Sequence, residues 1–257
     1  MRITEKKKFF LRSLPFLFYF LLWEIISVLV DEPVLFPSPF DVGRAFLELF
    51  GEAEFYIFSL NTCKKVLLGF FSALFAGSLL GWLSFENEWI KSFLKMPLML
   101  MKSVPVAAYI IMLYMWLPSR KIPALIAFIA VCPVVYNNIY DSFLKRNKEI
   151  YEMAEVFEVK GLKKLVYISF PEAFPFIRAS VRTGLALSFK ASVAAEVITI
   201  SANTIGESFY DAKIYFDMTG LLAWTLALLI ISFIFERLFL KLLNFVLEKT
   251  EEGFKWI

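Results

Sequence analysis

Long apolar blocks separated by short polar segments dominate this chain. Six can be marked, near Phe9–Val30, Phe58–Phe85, Leu98–Leu117, Ile122–Tyr140, Phe174–Ile200 and Met218–Phe245. Each reaches the roughly 20 residues that a helix needs to cross a hydrocarbon core. A helix suits that setting because it satisfies its own backbone hydrogen bonds where water is absent. The pattern predicts an all-α integral membrane fold with about six transmembrane helices. The first block follows RITEKKK, is longer than a secretory apolar core, and has no small-x-small site after it. It reads as a retained span. If it is peripheral instead, five spans remain and the later loops keep their sides.

The segments between blocks are more specific. After block one, LFPSPFDVGRAFLELFGEAEF places Pro37 and Pro39 around Ser38 and repeats Val42, Ala45, Phe46 and Leu49 at helical spacing. A short amphipathic helix on the outer surface is expected, with a plain connecting loop as the alternative. Block two carries Gly69, Ala73, Gly77 and Gly81, a small residue every fourth position, which suits close helix packing rather than a ligand.

Between blocks four and five lies EMAEVFEVKGLKKLVYISFPEAF, residues 152–174, whose charges do not belong in lipid. Ile150, Met153, Ala154 and Phe157 form one apolar stripe, and Leu162, Leu165 and Val166 form a second, rotated by about 100°. Gly161 lies at the step and Pro171 ends the segment. The other surface shows Glu155, Glu158, Lys160, Lys163 and Lys164. Such a bent pair of helices has three readings: a solvated connector, a helix lying on lipid, or a segment that docks into a partner's groove. The mixed charge argues against lipid, where the polar face is usually basic.

Charge gives the orientation. With the N-terminus inside, residues 2–12, 91–102, 145–164, 178–182 and 237–255 face the cytoplasm and hold 20 of the 27 Lys and Arg. Both termini and the 152–174 segment are then cytoplasmic by the positive-inside rule. In block five, Arg178, Arg182, Ala186 and Lys190 share one helix face. Ionisable groups deep in a span are functional candidates, so Lys190 and Arg182 are candidates for a solute path that suits anions. The alternative is that Arg178 and Arg182 snorkel to the interface and Lys190 pairs with a carboxylate of another span. Glu196 is a further path candidate, although six residues from Lys190 it does not share that face. Asn137 is another, and with Asn138 it suits interhelical hydrogen bonds.

Composition excludes several classes. The 257 residues are 59% hydrophobic with a mean hydropathy of +0.67, more apolar than a soluble core could hide. Histidine is absent, which removes most hydrolytic triads and His-based metal sites. Cys63 and Cys132 form no CxxC and read as small hydrophobes. No G-x-x-x-x-G-K-[ST] occurs, so the chain has no phosphate-binding loop for ATP. An integral-membrane enzyme would need clustered His, Cys or paired carboxylates in the blocks, and these are missing. A net charge of +3 gives no sign of a nucleic-acid partner.

The charged segment resembles the coupling loop of binding-protein-dependent ABC importer permeases. Glu152-Met153-Ala154 stand for that family's E-A-A and Phe170-Pro171 for its terminal hydrophobic–Pro pair. LFPSPFDVGRAF looks like the family's LPSP-type entry, KKVLLGFFSALFAGSLLG like its second span, and MKSVPVAAYI like its R-P-x-P segment. FKASVAAEVI resembles the W-K-x-x-x-A-A-E segment of nitrate, sulfonate, taurine and bicarbonate importers. Two positions depart from the pattern. Glu158 stands where the family has glycine, so Gly161 is expected to take over the bend. WLPSRKIP is shorter than the family's glycine-rich turn and carries Pro118.

The resemblance implies a type I ABC importer permease fold in one domain. Residues 1–57 give the first span and outer helix, and residues 58–250 give the core with its coupling loop at 145–173. It implies a non-enzymatic subunit of a bacterial cytoplasmic membrane. Its partners are two ATPase subunits that bind ATP and Mg, an extracytoplasmic substrate-binding protein, and a second permease copy in a homodimer. ATPase coupling falls to Glu152, Met153, Ala154, Phe157, Glu158, Gly161, Leu165, Phe170 and Pro171. The solute is expected to be a small anion of the nitrate, sulfonate or taurine kind. The alternative is a thiamine-precursor pyrimidine or another small organic molecule. Vitamin-type scaffold subunits carry Ala-Arg-Gly-type coupling motifs, which this chain lacks.

Overall fold

The apolar blocks become helices in a computed structural model that describes residues 5–159 and 161–254. Arg2, Lys160 and Lys255, counted above, lie outside these residues. So do the side chains of Lys6, Lys7, Lys8, Arg12, Leu162, Leu165, Val166 and Lys249. The elements are α1 (Glu5–Val30), α2 (Pro39–Leu49), α3 (Ala53–Glu86), α4 (Glu88–Ser103), α5 (Val106–Tyr114) and α6 (Ile122–Leu144). Then come α7 (Lys148–Val156), α8 (Gly161–Lys164), a π-helical turn (Leu165–Ser169), α9 (Phe170–Thr199), α10 (Ile205–Ile214) and α11 (Met218–Phe254).

The centre of the fold is the packing of α3, α6 and α9. Phe70 and Ala73 of α3 meet Val131, Cys132, Val135 and Ile139 of α6 and Val181 and Leu185 of α9 in one buried cluster. The small-residue face of α3 makes this possible. An added Cβ at Gly77 would lie 2.8 Å from Cβ of Val135 and 2.9 Å from the carbonyl oxygen of Cys132. One at Gly69 would overlap the carbonyl oxygen of Ala124, and one at Gly81 would stand 3.0 Å from that of Tyr136. Gly69, Ala73, Gly77 and Gly81 therefore pack α3 against α6 within the subunit. Cys63 and Cys132 are both free and buried, as small hydrophobes.

Around this centre the other elements are added by local chemistry. Ser38 caps α2: its hydroxyl accepts from Asp41 N at 3.1 Å, and Pro39 opens the helix. The apolar side of α2 joins Phe55 of α3, Ile205 of α10 and Trp224 of α11 in a second cluster. The expected outer helix thus forms and lies at the end of the bundle that carries α10. The α7–α8 segment lies at the opposite end.

One expected span differs from its sequence reading. Residues 98–117 are not a single helix, because α4 and α5 meet at a 98° bend. Pro105 has no N–H to continue the ladder, and Val104 before it is extended with ψ 131°. Among the described residues, α3, α6 and α11 are long and apolar enough to cross a membrane, and α4 with α5 is a fourth if counted as one broken span. The apolar part of α1, Leu14–Val30, is shorter, and α9 carries Arg178, Arg182, Lys190 and Glu196 along its length. Length and hydropathy alone therefore recover fewer than six spans.

The seam gives a direct test by substitution. Gly69→Ala forces α6 away from α3 and is expected to cost about 1–3 kcal/mol, the usual price of overpacking. Gly43→Ala in α2 meets nothing within 4 Å and is expected to be neutral or stabilising by up to ~1 kcal/mol. Thermal unfolding of the two variants in detergent separates these outcomes.

Candidate functional site

Two polar constellations interrupt the apolar bundle, one at each end. At the first, α7 begins at Asn147, whose side-chain oxygen accepts from Glu149 N at 3.0 Å. Its apolar stripe does not stay on one side. Ala154 and Tyr151 turn inward and are buried, whereas Met153, Val156 and Phe157 are 53%, 78% and 73% exposed. The stripe of Ile150, Met153, Ala154 and Phe157 therefore splits, because a lone helix over the end of a bundle can bury only a narrow strip. Glu152 and Glu155 are exposed beside Met153.

The end of α7 has the geometry that favours glycine at position 158. Val159 N donates to Ala154 O at 2.8 Å and Glu158 N donates to Glu155 O at 3.1 Å. This pair of bonds is a Schellman motif, whose C′ residue must adopt the left-handed conformation. Glu158 occupies that position with φ +54°. Gly161 does not replace it: Gly161 is left-handed too, at φ +62°, and opens α8 as a second turn. The expectation that Gly161 takes over the bend from position 158 is thus corrected. A residue with a Cβ holds the conformation at a cost of about 1–2 kcal/mol. Leu165 opens the π-helical turn, and the half-buried Phe170 and Pro171 open α9.

At the other end a carboxylate is sealed inside the bundle. Glu196 of α9 is fully buried. Its Oε2 accepts from Thr62 Oγ1 of α3 at 2.9 Å and from Gly206 N of α10 at 3.3 Å. Lys65 Nζ, also on α3, stands 3.6 Å from its Oε1 and donates to Ser201 Oγ at 2.8 Å. Thr62 Oγ1 accepts in turn from Ile205 N at 3.0 Å, and Asn61 Nδ2 donates to Asn203 O at 3.0 Å. These bonds fasten α3 to the turn between α9 and α10, where Ile200 and Asn203 are left-handed. Gly206 is required there, since an added Cβ would collide with Cβ of Glu196. A carboxylate so enclosed is placed to hold helices together rather than to meet a solute.

The remaining path candidates lie on α9 and α6. Arg178, Arg182 and Lys190 are exposed along one face of α9, continued by Ala194 and Ile198. Arg182 is held to α11, with Nε 3.2 Å from Glu236 Oε1. Asn138 Nδ2 donates to Ser180 Oγ of α9 at 3.0 Å, while Asn137 is half-buried beside it. A cavity of about 610 Å³ opens at the α10 end between α2, α10 and α11. Glu48, Glu52, Glu207 and Asp211 border it over Phe58 and Trp224, and neither Lys190 nor Arg182 lines it.

Sequence reasoning did not single out Lys65, Thr62 or Tyr151. Lys65 did leave a signal, being a lysine inside the second apolar block. Tyr151 left none beyond its place beside Glu152.

Comparison with known proteins adds to this geometry. The family described as binding-protein-dependent transport system inner membrane component matches residues 69–245. The putative aliphatic sulfonates transport permease protein of Bacillus subtilis is 25% identical over 75% of this chain and 70% of its own length. The riboflavin transport system permease protein of Chloroflexus aurantiacus is 27% identical over 85% of both chains. The formylaminopyrimidine transport permease protein of Halalkalibacterium halodurans is 26% identical over 68% of this chain and 70% of its own.

The buried pair makes a sharp prediction. Lys65→Met leaves a sealed carboxylate without its counter-charge, which is expected to cost about 3–5 kcal/mol. Adding Glu196→Gln should recover part of that loss, because no charge then remains to be compensated. Unfolding curves for the single and double variants give the result, and equal losses in both would contradict a charge pair.

Proposed function

The chain belongs to the binding-protein-dependent transport system inner membrane component family, the permeases of ABC importers, and from that premise we propose how it works. A permease of this kind is a membrane-spanning transport subunit and not an enzyme. Its family implies separate ATPase subunits and a substrate-binding protein. In our reading, ATP and Mg are bound on two such ATPases, and α7 with the turn at Glu158 and Gly161 is the element they grip. The observation that carries this is the split face of α7. Tyr151 and Ala154 are anchored inward, while Met153, Val156 and Phe157 stand exposed among carboxylates. That arrangement fits the helix-in-groove mode, in which apolar side chains enter a partner's groove and charges stay at its rim.

The same reading extends to the assembly. The α7 end faces the cytoplasm with both termini, and α2 and α10 face the substrate-binding protein. Two copies of the chain form a homodimer around a shared path. Closure of the ATPase pair on ATP moves α7, and α6 and α9, which flank it in the chain, carry the motion into the bundle. We assign Lys190 to the path because it stands exposed about two-thirds of the way along α9. With the sulfonate permease among the relatives, it supports a small anion as the solute. Arg182 is secured by Glu236, and Asn137 and Glu196 support the path by packing rather than by contact. A second reading, a neutral organic solute, is favoured by that same Arg182–Glu236 pair, which lowers the positive charge of the face. The riboflavin and formylaminopyrimidine permeases among the relatives agree with it.

Met153→Asp with Phe157→Asp tests the coupling assignment. Two charges forced into an apolar groove should weaken co-purification of the ATPase subunits by about tenfold or more, the equivalent of ~1.4 kcal/mol. The permease itself should fold normally, since both side chains are exposed. Undiminished co-purification would remove α7 as the gripping element.

A further inference from the structure

We infer that Tyr151 is a positioning residue that transmits force between α7 and the membrane helices through a stack of rings and cations. The inference rests on α7 being the coupling element and names the part that makes it stiff. A nine-residue helix spans only about 13 Å and does not hold its shape alone in water. Its buried side chains are Tyr151 and Ala154, and Ala154 offers a single methyl group. Apart from the main chain at its two ends, a load on Met153 or Phe157 therefore leaves α7 chiefly through the Tyr151 ring.

The surroundings of that ring fit the role. The Arg146 guanidinium lies 4.7 Å from the Tyr151 ring centroid and 4.9 Å from that of Phe85, so it bridges α7 to the last turn of α3. Lys164 Nζ of α8 lies 5.2 Å from the Tyr151 ring and 3.7 Å from Glu155 Oε1. Both cations fall within the range of cation–π attraction. The Tyr151 hydroxyl donates to Ser169 Oγ at 3.0 Å, in the π-helical turn that leads into α9. Asn147 N, at the start of α7, donates to Glu172 Oε1 of α9 at 3.1 Å. One ring thus connects α3, the α6–α7 link, α8 and the entry to α9. Leucine would fill part of the volume but offer no π face, whereas phenylalanine keeps the face and loses only the hydroxyl.

Spin labels at Val156 and Glu86, both exposed, report the rigidity of this connection once Cys63 and Cys132 are replaced by alanine. Distances are measured by electron paramagnetic resonance on the permease alone and assembled with its ATPase subunits. The wild type should give one narrow distribution. Tyr151→Leu and Arg146→Gln should each widen it by about twofold as the cation–π contacts are lost. Tyr151→Phe should stay close to the wild type. Wild-type widths in Tyr151→Leu and Arg146→Gln would overturn the inference. So would a Tyr151→Phe variant as broad as Tyr151→Leu, which would assign the role to the hydroxyl. If Tyr151→Leu fails to fold, the exposed Arg146 supplies the test by itself. Accessibility of the Val156 label judges the coupling reading separately. A label that the ATPase subunits leave unprotected contradicts docking at α7, whatever the widths show.

Discussion

The close approach of α3 to α6 is the constraint on which the rest of this structure depends. Two helices in lipid gain little from hiding apolar surface, since the lipid is apolar too, and they associate by packing and polar contacts. Gly69, Ala73, Gly77 and Gly81 remove the side chains that would hold the backbones apart, and Val135 and Ile139 of α6 fill the space. On that seam α9 packs through Val181 and Leu185, and with α9 come both polar constellations. The Glu196 network ties one end of α9 to α3. The Tyr151 stack ties the other end of the same helix pair to α7. A rigid pair with a polar fastening at each end can carry displacement from α7 to the turn before α10.

The two fastenings differ in kind. Around Glu196 the charges are sealed, the hydrogen bonds join three helices, and the adjoining turn holds two left-handed residues. Partial loss of such a site is costly, because a lone buried charge has no solvent to relieve it. Around Tyr151 the contacts are a ring face, two cations and one hydroxyl, and Arg146 is exposed at the edge. The first fastening defines one arrangement of helices. The second holds a short surface helix to the bundle. That contrast fits the proposed drive through α7.

Much of this was legible in the sequence, for physical reasons. Apolar length marked the helices, the Ser38–Pro39 pair marked the start of α2, and spacing by four marked the seam. The E-M-A segment with Phe170-Pro171 pointed to the family. Other features were not legible because they depend on three-dimensional placement. The 98° angle between α4 and α5 is one such feature, although Pro105 and the neighbouring Lys102 and Ser103 do interrupt the apolar run. Glu196 finds its counter-charge in Lys65, far away in the chain and on another helix. The split of the α7 stripe depends on what lies beneath it, which periodicity does not record. Glu158 is the most instructive case. The missing glycine suggested a displaced bend, yet the Schellman hydrogen bonds keep the left-handed turn where glycine would have stood.

In the proposed assembly the ATPases grip α7, while α2 and α10 face the opposite compartment. A photo-crosslinking amino acid at Phe157, compared with one at the exposed Phe40 of α2, tests it in the assembled complex. A covalent product with the ATPase subunit is expected from position 157 and none from position 40. An ATPase product from position 40, or none from position 157, would contradict it.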